Sequence, residues 1–195
     1  MENKKRAERP VIANSSNRHI HLCQGDMEKL FGKGYKLNKI KDLIQPGEHA
    51  CAETVKISGP KGDIEKVRIL GPLRKVTQVE ISVGDSVKLG LKAPVRGSGD
   101  IAGSSPVKIT GAAGIADLKE GCIVAKRHVH MTPADAAFYG LKDNEIVSIK
   151  CGGERGLIFD NVVARVSEKM ALECHIDIEE ANAAGLKNGD MIVIL

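Results

Sequence analysis

The sequence predicts a mainly β protein with short capping helices, folded as two related small β-barrel domains. Three observations lead there. Short β-branched runs recur between turn signals, the motif Arg-His-x-His occurs twice, and a Gly-Leu-Lys-turn-strand unit recurs at Gly140 to Val147 and Gly185 to Ile192.

The strands read as Val55-Lys56-Ile57-Ser58 before Gly59-Pro60, Val67-Arg68-Ile69-Leu70 before Gly71-Pro72, and Val79-Glu80-Ile81-Ser82 before the turn Val83-Gly84-Asp85. Val83-Gly84-Asp85-Ser86-Val87 itself echoes the turn and strand of the repeats. Later runs lie at 107–110, 121–125, 146–149, 162–166 and 191–194. Helical signals are fewer: Gln24 to Phe31, Pro133 to Tyr139 with Thr132 as cap, and Ile178 to Ala184 with Asp177 as cap.

The two histidine motifs, Arg18-His19-Ile20-His21 and Arg127-His128-Val129-His130, are offset by 109 positions. Taken as registration marks, they divide the chain into a first barrel over 11–100, a second over 101–195 and a polar tail over 1–10, with the boundary inside the Gly/Ser/Pro-rich stretch from Arg96 to Pro106.

Composition narrows the function classes. Lys plus Arg (29) exceeds Asp plus Glu (25) only mildly, and aromatics make up 3 % with no Trp, so neither a concentrated phosphate-backbone footprint nor base-stacking platforms are expected, and nucleic acid is not an expected partner. No apolar run approaches a membrane span, which points to a cytoplasmic protein. Five cysteines without a Cys-x-x-Cys pair fit free thiols.

Histidines at i and i+2 on an extended segment share a face, about 6 to 7 Å apart, and both can reach one metal ion. A repeated pair is a candidate two-metal site. Zinc takes three or four ligands from His, Cys, Asp and Glu. His175, at a strand end before a helix, is the best fifth histidine, whereas His49 reads as surface. Glu80 is the best carboxylate, because it projects from an apolar strand where an unpaired charge would be costly. Buried structural roles for Glu80 and His175 stay open on spacing alone. Arg74, after the constrained Gly71-Pro72-Leu73, suits bidentate binding of phosphate or carboxylate, and equally a surface ion pair.

The strings Asn14 to His21, Gly71 to Ser82 and Arg127 to Met131, with Pro94 to Asp100 and Ile176 to Asp190, closely resemble the phosphate propanoyltransferase family, the PduL-type phosphotransacylases. The resemblance runs from about Val11 to the C-terminus. It implies two helix-capped barrels with the active site, a dinuclear zinc site, between them, and reversible exchange of a propanoyl or acetyl group between coenzyme A and inorganic phosphate. It implies two zinc ions per chain, one held by His19, His21 and Glu80 and the other by His128, His130 and His175. Arg74 would hold phosphate, and Ser15, Ser16, Asn17, Lys61, Arg68 and Asn182 would bind coenzyme A as co-substrate. Acyl-CoA and phosphate are the implied partners, with room for a homodimer. With about ten residues before Val11, the chain departs from microcompartment relatives, which carry a longer amphipathic extension, so encapsulation stays open but is not supported by this short N-terminus. A dinuclear zinc hydrolase and a non-catalytic zinc protein are the alternatives.

Overall fold

The computed structural model describes residues 6–195. In chain order the first half forms β1 (Val11–Ser16), β2 (His19–His21), α1 (Gln24–Phe31), β3 (Lys39–Asp42), β4 (His49–Gly59), β5 (Gly62–Gly71), β6 (Gln78–Ile81), α2 (Val83–Leu89), β7 (Val95–Arg96), β8 (Ser105–Thr110) and β9 (Ile115–Ala125). The second half forms β10 (His128–Met131), α3 (Pro133–Tyr139), β11 (Ile146–Cys151), β12 (Ile158–Val166), β13 (Glu173–Asp177), α4 (Ile178–Ala184) and β14 (Asp190–Ile194).

Two six-stranded barrels result. One closes in the order β1-β13-β10-β12-β11-β14. In the other, β4, β5, β2, β6 and β9 are neighbours and β8 pairs with both β4 and β9, which shuts the ring. The pairings match strand for strand. β2 lies parallel to β5 and antiparallel to β6, as β10 lies parallel to β12 and antiparallel to β13. β6 lies parallel to β9 as β13 does to β1.

The division of the chain differs from a cut at residue 100. One compact unit contains residues up to Ser16, Ile44–Pro46 and Lys126–Leu195, and the other contains Asn17–Leu43 and Gly47–Ala125. The cause is strand pairing, which sequence order does not reveal. β8 and β9 close the barrel begun by β2, and the Gly/Ser/Pro-rich stretch lies inside that unit, with residues 97–104 between β7 and β8 and its last two residues already in β8. β1 instead pairs with β13 and β14. Of the tail, residues 1–5 lie outside the described residues, while the next few are docked: the Arg6 Nε donates to the Tyr139 carbonyl at 2.8 Å, and Arg9 pairs with Asp135 at 2.7 Å.

Val83–Leu89 is helical, where the sequence suggested a turn and strand. Ser82 and Asp85 form a reciprocal capping box that fixes this start despite two valines and a glycine. The third copy of the repeat is Gly90-Leu91-Lys92. Gly90, Gly140 and Gly185 all end their helices in the left-handed conformation, and the next Leu donates back into the helix in each case, Leu91 to Ser86, Leu141 to Ala136 and Leu186 to Ala181.

Each barrel has its own apolar core, one including Ile20, Leu30, Ile57 and Ile69, the other Val129, Met131, Ile149 and Ile192. Alternation along β2 and β10 follows from this. Ile20 and Val129, both fully buried, anchor the strand in the core, and the flanking histidines take the opposite face. Cys51, Cys122, Cys151 and Cys174 are buried and free, and burial pushes the Cys122 thiol up to about 12, as suits packing and not nucleophilic thiols.

Candidate metal centres and the arginine loop

Strand register brings the third member to each histidine pair. Across β2 and β6, His19 faces Glu80 and His21 faces Gln78. Across β10 and β13, His128 faces His175 and His130 faces Glu173. The ligand atoms of His19, His21 and Glu80 all lie within 4.8 Å of one another, and so do those of His128, His130 and His175. The first cluster belongs wholly to one unit and the second wholly to the other.

Backbone carbonyls orient the leading histidines. His19 Nδ1 lies 2.8 Å from the Asn17 carbonyl and His128 Nδ1 lies 2.7 Å from the Lys126 carbonyl. A ring that donates Nδ1–H to a carbonyl keeps Nε2 as a lone-pair donor. The arginine that precedes each pair is also positioned alike. Arg18 forks onto Asp85 at 2.7 and 2.8 Å, and Arg127 pairs with Glu180. Asp85 and Glu180 are the capping-box acids of α2 and α4, so each arginine ties its histidine strand to the helix that follows the third-member strand.

The electrostatics of the first cluster suit a cation. Burial pushes the Glu80 carboxyl up, but the imidazoles of His19 and His21 and the Ser98 hydroxyl outweigh it and hold it well below the usual carboxylate range. Burial pulls His19 down, while Glu80 and the Asn17 carbonyl leave it above its ordinary value. Burial, then His19 and Arg74, drive His21 down to about 3, so its ring is neutral at pH 7. Its buried Nδ1 has no hydrogen-bond partner. Two imidazoles whose ligand atoms converge with a buried carboxylate form a set that fits a divalent metal. The three imidazoles of the second cluster, with ring centroids 4.6 to 5.1 Å apart, offer the nitrogen-rich set that zinc favours.

Arg74 stands in the loop between β5 and β6, its backbone N–H donating to the Leu22 carbonyl at 2.8 Å just after the first histidine pair. Its guanidinium lies 3.0 Å from Glu48 and donates to the Ser98 hydroxyl at 3.2 Å. Ser98 donates in turn to Glu80 at 2.7 Å, and Gln78 donates to Glu80 and to Ser98. A continuous hydrogen-bonded path therefore joins Arg74 to the first cluster. Ser98, Gln78 and Glu48 went unassigned in the sequence reading. For Ser98 and Glu48 the signal was faint, since only the fold brings residues 24 and 26 positions away to Arg74, while Gln78, two residues before Glu80, has its role fixed by strand pairing.

The six residues expected to bind coenzyme A divide between the units. Ser15 donates to Asn188 at 2.8 Å from its N–H and 3.0 Å from its hydroxyl, Ser16 ends β1, and Asn182 is exposed on α4. Asn17 is exposed before β2, and Lys61 occupies the β4–β5 turn, where its N–H donates to the Leu89 carbonyl. Arg68 faces His19 across the β2–β5 pair and donates to the carbonyls of Cys51 and Ala52. His49 is not the surface turn residue that the sequence suggested. It opens β4, and its ring packs so closely on Gly71 that an added Cβ there would lie 2.3 Å from Nε2.

A model of the phosphate propanoyltransferase family matches residues 12–187. The chain is 53 % identical over 191 residues to a phosphate propanoyltransferase of Thermotoga maritima, covering 97 % of this chain and 91 % of that one. It is 50 % identical to the enzyme of that name from Clostridioides difficile, with 95 % and 88 % covered, and 52 % identical to that from Listeria monocytogenes, with 92 % and 84 % covered. With two matched barrels, a family model that matches residues 12–187 and relatives at half identity along nearly its whole length, the chain belongs to the phosphate propanoyltransferase family.

Proposed function

We propose that the protein transfers a short acyl group, propanoyl or acetyl, reversibly between coenzyme A and inorganic phosphate, with one zinc ion at each three-ligand cluster. The observation that carries this reading is the path Arg74–Ser98–Glu80, which couples an anion-binding guanidinium to a metal-ligating carboxylate. His19, His21 and Glu80 would hold one ion and His128, His130 and His175 the other. Bound zinc supplies Lewis-acid stabilisation of the negative charge that develops on the thioester oxygen and the departing thiolate.

Arg74 exchanges Glu48 for phosphate, and its two parallel N–H donors fix which phosphate oxygen faces the acyl carbon. That oxygen attacks, the carbon–sulfur bond breaks, and the electron pair leaves on sulfur as coenzyme A thiolate. Ser98 and Gln78 hold Glu80 in place during the exchange. Ser15, Ser16, Asn17, Lys61, Arg68 and Asn182 contribute polar and cationic groups for the nucleotide and pantetheine of coenzyme A. Val83 and Val87, 53 % and 68 % exposed one turn apart on α2, offer an apolar patch for a homodimer.

Thiol release from propanoyl-CoA tests the activity. Release that requires added phosphate, with acyl phosphate as co-product, supports the reading. Phosphate-independent release would make the protein a hydrolase, and no release from zinc-loaded protein would make it a non-catalytic zinc protein.

A further inference from the structure

Glu173 is buried, 3 % exposed, and has no part in the chemistry above. Both its oxygens are held. Asn14 Nδ2 donates to Oε1 at 2.7 Å, and Gln45 Nε2 donates to Oε2 at 2.6 Å. These amides are themselves fixed to backbone: Asn14 Oδ1 accepts from the Gly189 N–H at 3.1 Å, while Gln45 donates to the Ala171 carbonyl at 3.0 Å and accepts from its N–H at 3.2 Å. The remaining neighbour of Oε1 is His175 Nε2, at 3.0 Å. Among the described residues, no Lys or Arg lies within ion-pair distance of this carboxylate. A buried carboxylate with only neutral amide donors is costly unless a cation stands nearby.

The other barrel explains the arrangement. The position facing the second histidine is Glu173 in one barrel and Gln78 in the other, and each touches the third member of its cluster two residues on. Gln78 donates its amide to the carboxylate of Glu80. Glu173 offers its carboxylate to the imidazole of His175. The cluster with an acidic member thus has a neutral neighbour, and the cluster without one has an acidic neighbour.

We propose that Glu173 is the positioning residue of the three-histidine cluster. It accepts the Nε2–H of His175, which leaves Nδ1 as the nitrogen offered to the ion, and it supplies from outside the ligand set the negative charge that Glu80 supplies from within the other. Both clusters then present one carboxylate to a divalent ion. The proposal rests on the two-zinc reading of the clusters.

The test is zinc titration of chelator-stripped protein against a competing chromophoric chelator, with the melting temperature of the metal-free protein as control. Wild type should take up two ions. Glu173→Gln should weaken one of them by about 10- to 100-fold and leave the other unchanged, the scale for losing an outer partner of a ligating histidine. The metal-free melting temperature should match wild type. Two ions bound with wild-type affinity would overturn the proposal and leave the two-zinc reading standing, whereas wild-type protein that takes up one ion or none would remove the reading itself. Complete loss of one ion would make Glu173 a ligand, and equal weakening of both would make its role general folding; either result overturns the positioning role. If the metal-free variant melts lower, Gln45→Ala decides. It keeps the carboxylate but frees Oε2, and it should weaken the same ion severalfold; unchanged affinity there would overturn the proposal.

Discussion

Glu80 and His175 occupy the same register position in the two barrels, one facing His19 and the other facing His128. Corresponding backbone sites thus present a carboxylate and an imidazole, and each completes a group of three residues that could hold a metal ion. The purified protein should therefore carry two zinc ions per chain, and chelation should lower its melting temperature, because an ion that binds only the folded clusters stabilises by about 2.7 kcal/mol at a hundredfold excess over its dissociation constant. Elemental analysis and thermal melts with and without chelator check both. A melting temperature indifferent to chelator would mean that the clusters hold no ion.

Because each cluster lies within one unit, ligand loss should be local. His128→Ala should abolish turnover and release one ion while the other stays bound. His21→Ala should do the same at the other cluster, with the His128 cluster still loaded. Loss of both ions from either single variant, read by elemental analysis, would contradict independent sites.

Asp135 links acid stability to the second barrel. Its carboxylate accepts from the Thr132 N–H at 3.0 Å and hydroxyl at 2.8 Å, and it pairs with Arg9 at 2.7 Å. Burial pushes its carboxyl up, but Thr132 and Arg9 outweigh that and hold it below the ordinary 3.8. A depressed folded-state value means that the contribution is present above the unfolded value and is lost as pH falls through the folded one. Asp135→Asn should cost about 1 kcal/mol at pH 7, and the gap to wild type should close as pH falls below about 4. A gap that stays constant from pH 7 to pH 3 in thermal melts would refute the assignment.

How much of this was legible before the fold depended on the range of the interaction. The His-x-His pairs were plain because alternation along a strand is a local rule, and Ile20 and Val129 show the core half of it. α3 and α4 were marked by Thr132-Pro133 and Asp177, whereas α2 hid its capping box behind Val83, Gly84 and Val87. The barrel to which β1 belongs was not legible, since Val11–Ser16 pairs with strands more than 160 residues away in sequence. Glu173 was missed for the same reason: Asn14 and Gln45, which give it meaning, lie 159 and 128 positions distant.

Arg74 separates phosphate chemistry from metal binding. Its guanidinium is held by Glu48 at 3.0 Å and Ser98 at 3.2 Å, so phosphate bound at this arginine, as proposed, would have to displace a carboxylate. Arg74→Ala should raise KM for phosphate and lower kcat, with roughly 2 to 4 kcal/mol of transition-state stabilisation lost, the scale of one preorganised oxyanion donor. Arg74→Lys keeps the charge without the fork and should recover only part. Glu48→Gln should act in the opposite sense. The Arg74–Glu48 pair is about one third exposed on each side, and a pair this open contributes about 0 to 1 kcal/mol, so its removal should lower KM for phosphate by no more than a few-fold. Zinc content should be unchanged in all three variants, because no metal ligand is altered. Steady-state kinetics at varied phosphate decide the matter: an Arg74→Ala enzyme with wild-type phosphate dependence would remove the clamp, and Glu48→Gln with a raised KM would make Glu48 a support of the phosphate site instead of its competitor.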